Sequence, residues 1–148
     1  MDIAPWLLDF INNYGVLALF FTSFIAATIV PASSSAILLA ALAAGAQPIP
    51  ALISCSLGNS LGCAANYWIG RLIGRPLIPK MRKSKNGRKA IRYVRKYGTY
   101  SLYLAWAPFV GDPITIAAGI FRINFLKFSI IVYSFRIVGY IIVAAFFV

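Results

Sequence analysis

The sequence predicts an all-α integral membrane protein made of two inverted repeats, each an amphipathic helix, a re-entrant proline-broken hairpin and a transmembrane helix. Three observations point there. Of the 148 residues, 61% are hydrophobic, more than a soluble domain needs for its core. From Phe10 through Gly70 there is no Lys, Arg, Asp or Glu, a run too long to fold in water without exposing large apolar patches. And the same order of events occurs twice along the chain.

In each half an amphipathic segment ends in Tyr-Gly: PWLLDFINNYG closes at Tyr14 and Gly15, AIRYVRKYG at Tyr97 and Gly98. An apolar stretch then meets a proline, GVLALFFTSFIAATIVP reaching Pro31 and GTYSLYLAWAP reaching Pro108. Four residues beyond each proline stands a capping residue, Ser35 or Asp112, and the pairs Ala40-Ala41 and Ala117-Ala118 follow in register. A longer span closes each half, Pro50 to about Ile73 and Phe125 to Val148. The whole of 1–148 reads as a single membrane domain: repeat 1 at about 1–75, a basic loop and amphipathic helix over 71–97, and repeat 2 at about 88–148. The opening MDIAPWLLDF has no basic n-region and no small-residue cleavage site, so no removable signal peptide is expected.

Length argues for hairpins over crossings. A spanning helix needs about 20 residues, whereas Gly15 to Val30 gives about 24 Å of helix and Ser35 to Gly45 about 17 Å. Such pieces are expected to enter the bilayer, break and return to the same face, although hydropathy also accommodates a tilted pair of short crossings for Gly15 to Gly45. The tips would hold Pro31, Ser33, Ser34, Pro108, Gly111 and Pro113, and a broken backbone is tolerated only where protein covers it or a wet cavity reaches it. One hairpin and one span per half put the second repeat in the opposite orientation to the first.

The net charge of +11 is a property of one loop, since eleven of the fourteen basic residues fall between Arg71 and Lys96 with no acid among them. The positive-inside rule makes 71–96 cytoplasmic, with Arg122 and Lys127 on the same side and both termini outside. Arg71, Arg122 and Lys127 are thus placed to attract anionic headgroups. Membrane lipids are the expected partners, and nucleic acid is not. Without histidine, and with Cys55 and Cys63 eight apart, there is nothing from which to build a zinc or haem site, no nucleophile–base pair and no disulfide. No metal, no cofactor and no enzymatic activity are expected.

Asp112 stands alone as an acid in the apolar part of the chain. Asp-Pro suits an N-cap and first helical residue, so Asp112 would start a half-helix as Ser35 does. Ser or Asn would cap as well without putting a carboxylate in hydrocarbon, so a further role as counter-ion or proton acceptor is expected. Its best partner is Arg136, eleven residues into the last span and too deep to reach either interface easily. The guanidinium fork also suits phosphate. Ser54, Gly58, Gly62, Asn66, Gly70 and Gly74 recur every fourth position in the first span, a close-packing stripe that suits intramolecular packing or a homo-oligomer. Asn59 and Asn66 share a helix face with Cys63. They either line the cavity or bond the broken hairpin backbone.

The runs VPASSSAILLAALAAG, GNSLGCAANYWIGRLIG and RKYGTYSLYLAWAPFVGDPITIAAGIFRI together resemble the short, YqaA-like branch of the DedA superfamily, the VTT-domain or SNARE-associated Golgi proteins. The middle motif at 58–71 and Pro-x-x-Gly-Asp at 108–112 carry most of the likeness. The resemblance implies two facing re-entrant hairpins, and lipid movement across or within a bacterial inner membrane, with polyprenyl-phosphate recycling among the bacterial relatives. It also implies that Asp112 and Arg136 match an acid and a basic residue of the branch. Two positions depart from that pattern: Ser35, where the branch carries Glu, and Gly139, near which it carries a second basic residue. One acid and one base are lost together, and a two-carboxylate proton mechanism is not expected. Three functions stay open from sequence: a transporter or scramblase of a phosphate-bearing lipid, a proton- or ion-coupled carrier of a small solute, and a non-transporting scaffold.

Overall fold

The computed structural model describes residues 5–28, 34–105 and 110–146, with helix placement only for 5–13, 34 and 35. The expected tip residues Pro31, Ser33 and Pro108 lie outside the described residues, as do the side chains of Ser34 and Ser35. Among the described residues all regular structure is helical. In order these are α1 (Pro5–Thr28), α2 (Ser34–Ala43), α3 (Pro48–Ile73), α4 (Leu77–Met81), α5 (Lys85–Tyr97), a 3-10 helix (Gly98–Leu104), α6 (Gly111–Ile120) and α7 (Phe125–Ala145).

α3 is the axis of the molecule, with α1, α6 and α7 packed along it. A Cβ on Gly58 would strike the Phe20 carbonyl, and one on Gly62 would meet Phe24 and Ala27, so α1 runs alongside α3 in the same direction. A Cβ on Gly70 would strike Ile116, and one on Gly119 the Tyr67 carbonyl, which brings α6 into equally close contact further along. The fourfold stripe therefore serves two neighbours within one chain. Helical positions advance about 100° each, so an every-fourth-residue stripe turns by roughly 120° between Gly58 and Gly70 and passes from α1 to α6. Gly74 leaves the stripe: with φ 68° it ends α3, its N–H returned to the Gly70 carbonyl. α7 runs back along the full length of α3, with Phe125 and Phe128 against Tyr67 near its start, Arg136 beside Asn59 in its middle, and Tyr140 in a buried cluster with Cys55, Ala51 and Leu38.

α1 with α2, and the 3-10 helix with α6, approach α3 from opposite ends. α1 comes from the Pro48 end, and Ala27 reaches the level of Asn66. α2 returns, so that Ala40 and Ala44 face Gly15 and Leu19 across an apolar cavity closed by Pro50 and Ala51. From the other end, the 3-10 helix leads from α5 to Ala105, which the backbone of Gly111 touches, and α6 brings the chain back to Arg122. The levels reached, Asn66 and Asn59, overlap at the middle of α3.

The structure differs from the sequence reading in several elements. Tyr14-Gly15 does not end a helix: α1 is continuous for 24 residues, about 36 Å. Tyr97-Gly98 does end one, with Gly98 at φ 56°. The arm that follows it is a seven-residue 3-10 helix. Asp112 is not an N-cap, because α6 begins at Gly111 and Asp112 and Pro113 lie inside its first turn. Ser35 is likewise the second residue of α2, so the two half-helices keep the same offset from their prolines. Among the described residues α7 is the one helix both long and apolar enough to cross a bilayer on its own. α3 has the length, 26 residues. Its buried Ser54, Ser56, Asn59 and Asn66 dilute its apolarity, as suits a helix with one face covered by its neighbours. Leu17, Phe21 and Ile25 of α1, Ile53, Leu57 and Leu61 of α3, and Ile130, Ile137 and Ile141 of α7 are exposed and give the bundle an apolar outer surface.

Candidate functional site

Arg136 Nη2 donates to Asp112 Oδ1 at 2.6 Å, joining the middle of α7 to the first turn of α6. The pair is partly enclosed, with 14% of the Arg136 side chain and 23% of the Asp112 side chain accessible. Gly111 makes the approach feasible, since a Cβ there would press on the Ala105 carbonyl and lie 3.3 Å from Arg136 Nη2. Arg136 Nη1 points at Asn59 Oδ1 across a long 3.5 Å contact, and its buried Nε has no hydrogen-bond acceptor among the described residues. A carboxylate in the first turn of a helix also gains from the positive end of the helix dipole. The guanidinium thus binds its counter-ion with one nitrogen and keeps donor capacity for a second anion.

Asn66 meets the backbone at the end of α1. The carbonyl of Ala27 would receive the N–H of residue 31 in a continuing helix, and residue 31 is proline, which has none. Asn66 Nδ2 supplies the missing donor at 2.6 Å. The same nitrogen lies 3.3 Å from Thr115 Oγ1, which donates to the Asp112 carbonyl at 2.6 Å. A polar chain thus runs from Ala27 through Asn66 and Thr115 to Asp112, then on to Arg136 and Asn59. The two asparagines take one role each, Asn66 bonding hairpin backbone and Asn59 facing the ion pair.

A second polar region lies at the basic end of the bundle. The Tyr67 hydroxyl is fully buried, donates to the Ile123 carbonyl and accepts from Arg71 Nη1 at 2.9 Å. Arg71 also lies over the Trp68 ring, 5.7 Å from its centroid. A cavity of about 710 Å³ opens there, walled by Arg71, Arg75, Arg95 and Arg122 together with apolar residues. Lys127 does not line it. Lys127 stands exposed in the first turn of α7, where Asn124 caps the helix through Leu126 N at 2.9 Å and, more weakly, Lys127 N at 3.4 Å.

The sequence reading singled out Asp112, Arg136, Asn59 and Asn66, and the fold brings these four together. Ser35 is placed on α2, and no side-chain contact of it is described. Thr115, Tyr67, Arg75 and Arg95 were not singled out. Thr115 lies three residues beyond Asp112, one turn along the same helix, a spacing that could have flagged it. Arg75 and Arg95 are indistinguishable from the other cations of the loop until α5 folds against α6.

The profile of the VTT domain matches residues 30–148. The Escherichia coli inner membrane protein YqaA is 34% identical over 110 residues, 74% of either chain. An uncharacterized Haemophilus influenzae protein is 33% identical over 153 aligned positions, 95% of this chain and 93% of its own. The Bacillus subtilis undecaprenyl phosphate transporter A is 35% identical over 89 residues, 56% of this chain and 45% of the transporter. No solved structure matches significantly.

Proposed function

Because the chain belongs to the VTT-domain, or DedA, family of membrane proteins, we propose that it moves a phosphate-bearing lipid, a polyprenyl phosphate or a phospholipid, across a bacterial inner membrane. The two hairpins are read as re-entrant and as halves of an inverted repeat, entering from opposite faces with the basic loop on the cytoplasmic side. The observation that carries this reading is the Arg136–Asp112 pair at mid-bundle, where the guanidinium is held by one acid through one nitrogen, its buried Nε has no acceptor among the described residues, and both side chains stay partly accessible. A headgroup phosphate entering between the hairpins competes with Asp112 for Arg136, and its charge is balanced there without water. The prenyl or acyl chain stays along the apolar outer surface. Asp112 retakes Arg136 when the phosphate leaves, so the ion pair acts as a latch in which one anion replaces another. The name of the Bacillus subtilis relative supports the substrate class.

The test is reconstitution into liposomes with an assay for translocation of a short-chain polyprenyl phosphate. Wild type is expected to move the lipid, Arg136→Ala to lose at least about tenfold in rate, the worth of one charge-assisted hydrogen bond, and Asp112→Asn to change the rate through an unlatched arginine. No translocation by wild type, or rates indifferent to both substitutions, would overturn the reading.

A further inference from the structure

Among the chain's fourteen basic residues, four arginines from three separate segments converge on one cavity with no acid to balance them. Arg71 lies in the last turn of α3, Arg75 just beyond that helix, Arg95 in the last turn of α5, and Arg122 in the turn after α6. The chain has only three acids: Asp112 is bound to Arg136, and Asp2 and Asp9 belong to the other end of the sequence. Two of the four arginines are held by neighbouring side chains. Arg71 is fixed by Tyr67 and Trp68, and Arg95 lies over the Phe121 ring at 5.8 Å.

Arg122 is the most telling. It has φ 54°, and among the described residues it is the one non-glycine at positive φ. The bonds Arg122 N to Gly119 O and Ile123 N to Ala118 O make it the left-handed residue that closes α6, a place where glycine is ordinarily preferred. Arginine there is strained, and its side chain lines the cavity as the fourth cation.

The cavity is distinct from the ion pair. Ten residues of α6 separate Asp112 from Arg122, twelve of α3 separate Asn59 from Arg71, and both intervals come to roughly 15–18 Å along a helix, about half the hydrocarbon thickness. The cavity therefore lies at interface depth when the pair lies near the midplane. Its wall includes Leu72 and Ile73, which are largely exposed and continue the apolar outer surface.

We propose that this cavity is a separate phosphate-binding site that captures the phosphomonoester of a bilayer lipid at the interface. The arginines hold the phosphate through paired N–H donors, and the acyl or prenyl chain leaves past Leu72 and Ile73. This stands on its own residues and does not require that the chain transport lipid.

The experiment is binding of lysophosphatidate, monoacylglycerol, inorganic phosphate and inorganic diphosphate to the full chain in neutral detergent, followed by native mass spectrometry and ligand-induced thermal shift. Lysophosphatidate is expected to bind at least tenfold more tightly than monoacylglycerol. Arg95→Gln and Arg122→Gly should each weaken it about tenfold or more, the loss of one charge-assisted hydrogen bond. Lys85→Gln, which removes an equal charge from the exposed start of α5, should leave affinity within twofold. Arg122→Gly relieves the positive φ, so it should melt at or above the wild-type temperature while binding less, which separates lost recognition from lost folding. Inorganic phosphate or diphosphate binding as tightly as the lysolipid, with the same arginine dependence, would support the site and assign it to free phosphate. Lysophosphatidate binding no tighter than monoacylglycerol, or affinity unchanged in both arginine variants, would overturn it. Because neither variant touches Asp112 or Arg136, failure here leaves the translocation result unaffected.

Discussion

Removing the Asp112 carboxylate alone leaves Arg136 charged, enclosed and without its counter-ion, so Asp112→Asn should be more harmful than its small change of shape suggests. With N and O at 2.6 Å, the charge centres are about 4 Å apart, and at an effective dielectric constant near 20 their attraction is about 4 kcal/mol. Deleting one partner of a buried pair usually costs about 3–5 kcal/mol, whereas replacing both with apolar or neutral groups is often close to neutral. The residual 14% and 23% exposure of the two side chains lets water offset part of this, so about 2–4 kcal/mol is expected for Asp112→Asn. In a chain of this size that corresponds to a melting temperature lower by roughly 5–15 °C. Arg136→Met should cost less, because an unpaired carboxylate can take up a proton. The double variant should be at least as stable as the weaker single, with a coupling energy near 2 kcal/mol. Cys55 and Cys63, both fully buried, provide the assay: their reaction with a fluorogenic maleimide on heating in detergent reports loss of the α3 packing directly. Additive single effects, with coupling below about 0.5 kcal/mol, would show that the pair contributes no mutual stabilisation and would refute the reasoning.

Asn66→Leu orphans the Ala27 carbonyl and removes a donor from Thr115, so a loss of about 2–4 kcal/mol is expected. Asn66→Asp, equal in size but unable to donate when ionised, should be no better, and wild-type thermal stability for either would exclude the proline-bridging role. Gly119→Ala would force a Cβ into the backbone of Tyr67 and Arg71 and should cost about 1–3 kcal/mol in the same melting assay. Gly139→Ala, where a Cβ meets nothing within 4 Å, should gain about 0.5–1 kcal/mol from helix propensity, and an equal loss at both positions would contradict the packing described.

The pairing of Asp112 with Arg136 was legible because charge is so scarce in the apolar stretches that each had few candidates. The cavity arginines were hidden by the opposite condition: with eleven cations in one loop, sequence gives no reason to prefer Arg75 and Arg95 over their neighbours. The Tyr-Gly pairs were misleading in a different way. After Gly15 comes Val-Leu-Ala-Leu, rich in good helix formers, and one interior glycine at about 1 kcal/mol does not stop such a helix. After Gly98 comes Thr-Tyr-Ser, poor helix formers, and Ser101 Oγ donates to the Gly98 carbonyl at 2.6 Å, offering the backbone another arrangement. The dipeptide is the same in both halves, and the residues C-terminal to it decide whether glycine is merely tolerated or supplies the turn.

The convergence of α1, α6 and α7 on the middle of α3 limits the charge this chain can hold there. Asn59 and Asn66 are two helical turns apart, about 10 Å, so the polar groups that face them are concentrated in a thin slab. Any charge added to that slab must find a partner within it, because the alternative is a lone ion in hydrocarbon. Asp112 and Arg136 already form a neutral pair in it. Leu38 and Tyr140 belong to one buried cluster that joins α2 to α7. Position 35 is one turn before Leu38, and position 139 adjoins Tyr140, where an added Cβ would meet open space. An acid at 35 without a base at 139 would add one uncompensated charge, and so would the reverse. With Ser35 and Gly139 both uncharged, one acid and one base make a self-consistent arrangement for this chain.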